Sequence, residues 1–264
     1  MSPFIILPLL MLVGILLGAC TPKEQPTAAE ELLRLGDTQL SRRRETQARQ
    51  YYEQLLEQYP ESEYKAQAQF KIAEALYNDK SYLEARFEYQ KFLELYPAHP
   101  LASRAQFQIG MCNVQEVQSY DRDQRRTQEA LRTFRQFRRQ YPQDALVGEA
   151  EAQIRLLRSR LAEHEFAVAR FYYRKKAYHA AIGRLLNLIQ VYPDLPKMDV
   201  VLYMLADSYR AEENYVKAQR VFQMLIDRFP SSTHQARARA QLRTLPETGI
   251  TREASVTDQE SRPR

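Results

Sequence analysis

Apolar residues recur along most of this chain every three or four places, in stretches of about a dozen residues that predict short amphipathic helices. Each second stretch ends on an aromatic residue followed by proline. These dipeptides, Tyr59-Pro60, Tyr96-Pro97, Tyr141-Pro142, Tyr192-Pro193 and Phe229-Pro230, lie 37, 45, 51 and 37 residues apart. The spacing is a 37-residue period with insertions of 8 and 14 residues, and periods of that size belong to helical solenoids. Twelve places before the prolines stand Ala48, Ala85, Ala130, Ala181 and Ala218, and eight places before them Tyr52, Tyr89, Phe134, Leu185 and Phe222. A second small residue occurs earlier in each period: Gly36, Ala73, Gly110, Ala169 and Ala206. Two antiparallel helices need such residues where their backbones approach. Proline then ends the pair, because its ring cannot continue the helix and the residue before it is pushed out of the α region.

Small residues at repeat positions 8 and 20, large apolar ones around them and proline at 32 resemble the tetratricopeptide repeat. The clearest copies are Leu202, Leu205, Ala206, Tyr209, Ala218, Phe222, Leu225, Pro230 and Ile72, Ala73, Leu76, Ala85, Tyr89, Phe92, Pro97. The expected fold is all-α, an α-solenoid of five helix pairs at about 28–60, 63–97, 103–142, 146–193 and 199–230, with a capping helix at 233–242. After Pro142 the pattern runs unbroken to Tyr178, so one long helix is expected to open the fourth repeat. The insertion QEVQSYDRDQRR in the third predicts a helix extension and a polar loop. Residues 245–264 lack apolar periodicity and are expected to be disordered.

The first twenty residues, MSPFIILPLLMLVGILLGAC, follow a different pattern. The uncharged stretch from Phe4 to Ala19 is shorter than the ~20 residues that span a bilayer. It reads as an export signal over residues 1–19, although its start carries no Lys or Arg. Leu17-Gly18-Ala19-Cys20 resembles a lipobox, which implies cleavage before Cys20, lipidation of its thiol and amine, and a polar tether over 20–27. Thr21, where an Asp would favour retention at the inner membrane, implies transport to the outer one.

Composition fits an ordered body, with 44% apolar and 27% charged residues and seven Gly. Catalytic motifs are absent: His99, His164, His179 and His234 are scattered, His164-Glu165 lacks the second His of a metalloprotease helix, and no Gly-rich phosphate loop or GxSxG occurs. No enzyme activity, cofactor or metal is expected. Cys20 and Cys112 lie too far apart in sequence to suggest a metal motif, and Cys112, near Gly110, reads as a buried thiol. The net charge is +5, with basic residues gathered at Arg42 to Arg44, Arg122 to Arg139 and Arg170 to Lys176. Export argues against nucleic acid as their partner, leaving solvated helix faces or an acidic protein.

Two segments carry a closer resemblance. SYDRDQRRTQEA at 119–130 and RLAEHEFAVARFYYRKKAYHAAIGRLLNLIQVYP at 160–193 resemble the BamD (ComL) family, lipoproteins of the outer-membrane β-barrel assembly machine. Polar Gln106 and Asn113 in the third repeat depart from the repeat pattern. The resemblance implies a scaffold at the outer membrane, anchored through lipid and facing the periplasm. Its expected partners are the periplasmic domain of BamA, other lipoproteins of the complex and unfolded outer-membrane proteins. The basic cluster Arg170, Arg174 and Lys175 is the candidate BamA contact. The candidate groove for precursor segments uses helix positions 5, 9 and 12 of the first three repeats: Leu33, Phe70 and Phe107; Asp37 and Glu74; Leu40, Tyr77 and Val114. A secretin pilotin or a cell-division coordinator would share the repeats and the anchor but not the DRDQ and LAEHEF segments.

Overall fold

A computed structural model describes residues 27–117 and 123–246. Cys20, the export signal, most of the tether, part of the DRDQ loop and the end of the chain lie outside the described residues. Among the described residues there are eleven helices and no strand: α1 Ala28–Ser41, α2 Glu45–Gln58, α3 Lys65–Asn78, α4 Tyr82–Leu95, α5 Ala102–Gln115, α6 Arg125–Gln140, α7 Val147–Arg174, α8 Tyr178–Val191, α9 Met198–Ala211, α10 Tyr215–Arg228 and α11 Gln235–Thr244. Each packs against its neighbours in sequence, so five antiparallel pairs stack in order and α11 closes the last of them.

The crossings form as the small residues require. Gly36 in α1 faces Tyr52 of α2 so closely that a Cβ built on it would stand 2.3 Å from the ring, and at Gly110 the distance to Phe134 is 2.7 Å. Ala73, Ala169 and Ala206 hold the equivalent places and are fully buried. Before each proline the backbone leaves the helix: Tyr59 has φ −130° and ψ 59°, and Tyr96, Tyr141, Tyr192 and Phe229 repeat this within a few degrees. Two residues beyond proline, Ser62, His99, Asp144 and Ser232 accept the amide N–H two places on through their side chains, which shapes the turn into the next pair. His99 is thereby a turn residue whose ring also packs edge-on against Phe92.

Within four of the pairs the turn is closed by a non-glycine residue in the left-handed region: Arg43, Lys80, Lys176 and Glu213, with φ between 56° and 64°. The following amide reaches back to a carbonyl five residues earlier, as from Ser81 to Leu76 at 3.0 Å and from Asn214 to Tyr209 at 2.9 Å. This is the Schellman closure, which ordinarily selects glycine.

In the third repeat the helix extension falls on α6. The insertion does not lengthen α5, which ends at Gln115 with the 14 residues of a regular helix. Only α6 gains, with 16 residues, and Asp123 accepts the Arg125 amide at its start. The polar Asn113 belongs to this join. It is 3% exposed, accepts from the Arg86 guanidinium at 3.0 Å and donates to Thr133 at 3.3 Å, so the buried amide satisfies groups on two neighbouring helices.

The core is divided. Residues of α1 to α5 form one cluster, Phe107 with α6 and the start of α7 a second, and the end of α7 with α8 to α11 a third. The last boundary falls inside α7, between Leu161 and Ala162. Tyr192 packs against both sides of it. Arg158 lies 5.5 Å above the Tyr192 ring and donates to the Val191 carbonyl and to Asp194.

Candidate functional site

Two surfaces contain the candidate residues. On the first helices of the N-terminal repeats, Leu33, Phe70 and Phe107 are buried at 6%, 2% and 5% exposure. Phe70 meets Tyr89 and Phe92 edge-on, and Phe107 meets Phe134 and Phe137 in the same way. These three are therefore core residues, which corrects their assignment to the groove: the position points between the paired helices, where a large ring fills the space beside the small crossing residue.

Positions 9 and 12 are half-buried, and their charges are already engaged. Asp37 accepts the Tyr52 hydroxyl at 2.8 Å and stands 3.6 Å from the Lys71 ammonium. Glu74 pairs with Lys71 at 2.8 Å and with Arg104 of the next repeat at 3.4 Å. Tyr77 accepts from Gln115 at 3.4 Å and meets Tyr82 edge-on, while Leu40 packs on the core of the first repeats and Val114 on that of the third. An alternating ladder of charge thus ties α1, α3 and α5 side by side. The two acids assigned to the groove are therefore neutralised within the molecule. Burial and the Asp37 bond push the Tyr52 hydroxyl well above the usual tyrosine range.

The second surface lies at the end of α7. Arg170, Phe171, Arg174, Lys175 and Lys176 are all exposed, Phe171 at 55%. The Arg170 guanidinium lies over Phe166 and the Lys175 ammonium over Phe171. No carboxylate among the described residues forms an ion pair with Arg170, Arg174, Lys175 or Lys176. Beside them Asp207, 9% exposed, accepts the Tyr173 hydroxyl at 2.6 Å and two Arg210 donors, which locks α7 to α9 beneath the basic rim.

The two segments that carried the family resemblance meet in space. Asp123, Gln124 and Arg125 face Leu161, His164, Glu165 and Tyr192 across a cleft of about 280 Å³. LAEHEF spans the boundary between the second and third cores, and its acids reach the C-terminal repeats, Glu163 to Lys197 at 3.0 Å and Glu165 to Arg184 at 3.3 Å.

The model of the YfiO family, described as outer membrane lipoproteins, matches residues 25–214. The chain belongs to that family. Its YfiO relatives include the outer membrane protein assembly factor BamD of Haemophilus influenzae, 25% identical over 77% of this chain and 82% of that one. The BamD of Neisseria gonorrhoeae is 26% identical over 83% and 90%. A tetratricopeptide-repeat model matches residues 200–232, the last helix pair. Among solved structures, the TPR2AB domain of yeast Sti1 in its pHSP90 complex aligns with 81% of this YfiO chain and 84% of its own, at 13% identity and a TM-score of 0.45.

Proposed function

We propose that the protein is a non-enzymatic scaffold of the outer-membrane β-barrel assembly complex, held at the outer membrane through lipid on Cys20 and facing the periplasm. Its C-terminal repeats dock the periplasmic domain of BamA, its N-terminal repeats receive unfolded outer-membrane proteins, and other lipoproteins of the complex are its neighbours. The YfiO match supports the complex, and the relatives named BamD are assembly factors. The observation that carries the docking is the exposed rim Arg170, Phe171, Arg174 and Lys175, whose cations lack carboxylate partners among the described residues. Unpaired cations around an exposed aromatic ring favour an acidic partner surface, with the ring supplying contact area and the charges setting orientation and rate of encounter.

The test is affinity purification from detergent-solubilised envelopes. Arg174→Glu with Lys175→Glu is expected to fold normally and to recover less BamA, with the deficit growing as salt is lowered. Full recovery at every ionic strength removes this face from the proposal.

A further inference from the structure

The buried side of α6 is formed by Ala130, Phe134 and Phe137, none of them exposed. Two, five and nine places after Ala130 the helix turns the opposite way, toward solvent. Those places hold Arg132, Arg135 and Arg139, the middle one half-buried and the others exposed. The same places are Gln50, Glu53 and Glu57 on α2, Gly183, Leu186 and Gln190 on α8, and Arg220, Gln223 and Asp227 on α10. No other second helix of a pair puts more than one cation there. Every exposed residue of α6 is Arg or Gln. Its ion pairs use Arg125, Arg126, Glu129 and Arg138, so Arg132, Arg135 and Arg139 have no carboxylate partner among the described residues.

The neighbouring second helix, α4, adds an apolar element. Its first equivalent place holds Phe87, 59% exposed, and one turn earlier Leu83 is 42% exposed. The two helices lie side by side. Arg86 of α4 stands 3.6 Å from Glu129 of α6 and bonds Asn113, which in turn bonds Thr133. The same guanidinium lies 5.8 Å from the Phe87 ring. Equal register therefore sets Phe87 and Arg132 level with each other on one face.

A row of arginines bordered by an exposed ring and a leucine suits an anionic bilayer surface. Guanidinium forks match phosphate oxygens, and Phe and Leu enter the headgroup boundary. The centre of a protein interface is depleted of charge, whereas a headgroup layer is charged throughout, as the outer side of α6 is. The chain before α1 argues for the same occupant. On the reading that Cys20 carries lipid, eight residues lead from the anchor to Ala28, and fully extended they span at most about 29 Å, so the first repeats stay beside the bilayer.

We propose that the face formed by α6 and the start of α4 lies on an anionic phospholipid surface, with Arg132, Arg135 and Arg139 paired to lipid phosphates and Leu83 and Phe87 entering the headgroup layer. The inference rests on the lipid-anchored reading and adds an orientation: the anchor holds the chain at the membrane, and this face decides which side of the solenoid meets it.

The test sediments the chain from Cys20 onward, made in the cytosol so that it carries no lipid, with vesicles of phosphatidylethanolamine and phosphatidylglycerol and with vesicles of phosphatidylcholine alone. Binding to the anionic vesicles is expected, with little to the neutral ones, and it should weaken as salt is raised. Each arginine near such a surface contributes about fivefold in affinity, so Arg132→Glu with Arg139→Glu should weaken binding by at least about 25-fold. Phe87→Ser should weaken it by roughly fivefold and leave the salt dependence unchanged. Both variants replace exposed side chains and should melt like wild type. Arg174→Glu with Lys175→Glu, an equal change of charge elsewhere, should keep most of the binding. Equal loss in that control overturns the face in favour of net positive charge alone. Absence of binding to anionic vesicles, or full binding by the α6 variant, overturns the proposal, and loss of an acidic protein from envelope pull-downs with that variant would then make the row a protein interface. Acyl labelling of the exported wild-type chain separates the two readings: unlabelled protein that binds anionic vesicles overturns the anchor and keeps the face, and labelled protein that does not bind them overturns the face alone.

Discussion

At Gly36 the missing side chain is the structural requirement. The Tyr52 ring that a Cβ would strike is fully buried and held by its hydroxyl bond to Asp37, so it cannot swing aside. Gly36→Ala gains about 1 kcal/mol of helix propensity, yet overpacking of a close core contact costs roughly 1–3 kcal/mol. The expected result is a net loss of stability in denaturant titration, relieved when Tyr52→Leu is added. Cys112 makes a second residue-scale prediction. It is 1% exposed, and burial pushes its thiol up to about 12, so alkylation of the native protein at pH 8 should proceed only as fast as the chain opens. Its folded pKa lies above the ordinary thiol value near 8.5, so the folded state holds the proton more tightly. The stability this contributes is full below that value and is lost as pH rises toward 12. Buried Tyr52 and Tyr89 and half-buried Tyr173 are shifted upward as well, so the melting temperature should fall on the alkaline side, starting near pH 9.

Among the helices, the turns that close four pairs with Arg43, Lys80, Lys176 and Glu213 in the left-handed region carry a cost of about 1–2 kcal/mol that glycine would not incur. Lys80 is exposed and belongs to neither candidate surface. Lys80→Gly is therefore expected to stabilise the protein by about 0.5–1 kcal/mol, part of the relief being offset by the greater freedom of glycine in the unfolded chain; chemical denaturation measures it. Side-chain caps are few: Thr27 on α1, Asp123 ahead of α6 and Asn214 on α10 accept free amides of the first turn, and at the other described helices the N-cap side chain makes no such bond. Their ends rest on packing and on the turns around proline, so single cap substitutions should matter less here than changes at the crossings.

In the molecule as a whole, α7 is the only helix whose two halves belong to different cores, among the described residues. Tyr192 and Arg158 bridge that division. Tyr192→Ala removes a ring packed on both clusters, and the expected cost is about 2–3 kcal/mol, below the full cost of a buried aromatic because Tyr192 is half-exposed. Hydrogen exchange should then quicken on both sides of residue 161. Protection lost on one side only would mean that the two cores fold independently of this contact.

The repeat, its period, the helix pairing and the long α7 were legible in the sequence, because crossing residues and prolines act through local sterics at fixed spacing. The basic rim at Arg170 to Lys175 was legible for a similar reason, since exposed charge needs no partner to be seen. Which apolar residues face a ligand was not. Phe70 reads alike as a groove residue and as a core residue, and only the placement of Tyr89 and Phe92 against it decides for the core. Asp37 and Glu74 look available until α3 and α5 bring Lys71 and Arg104 beside them, because ion pairs between repeats depend on the angle at which helices stack. The polar Asn113 breaks the linear pattern and becomes intelligible once Arg86 and Thr133 surround it. Periodicity along the chain therefore determined the elements and their order, while the stacking of one pair on the next determined which side chains remain exposed, since that is set by contacts between residues 20 to 40 positions apart.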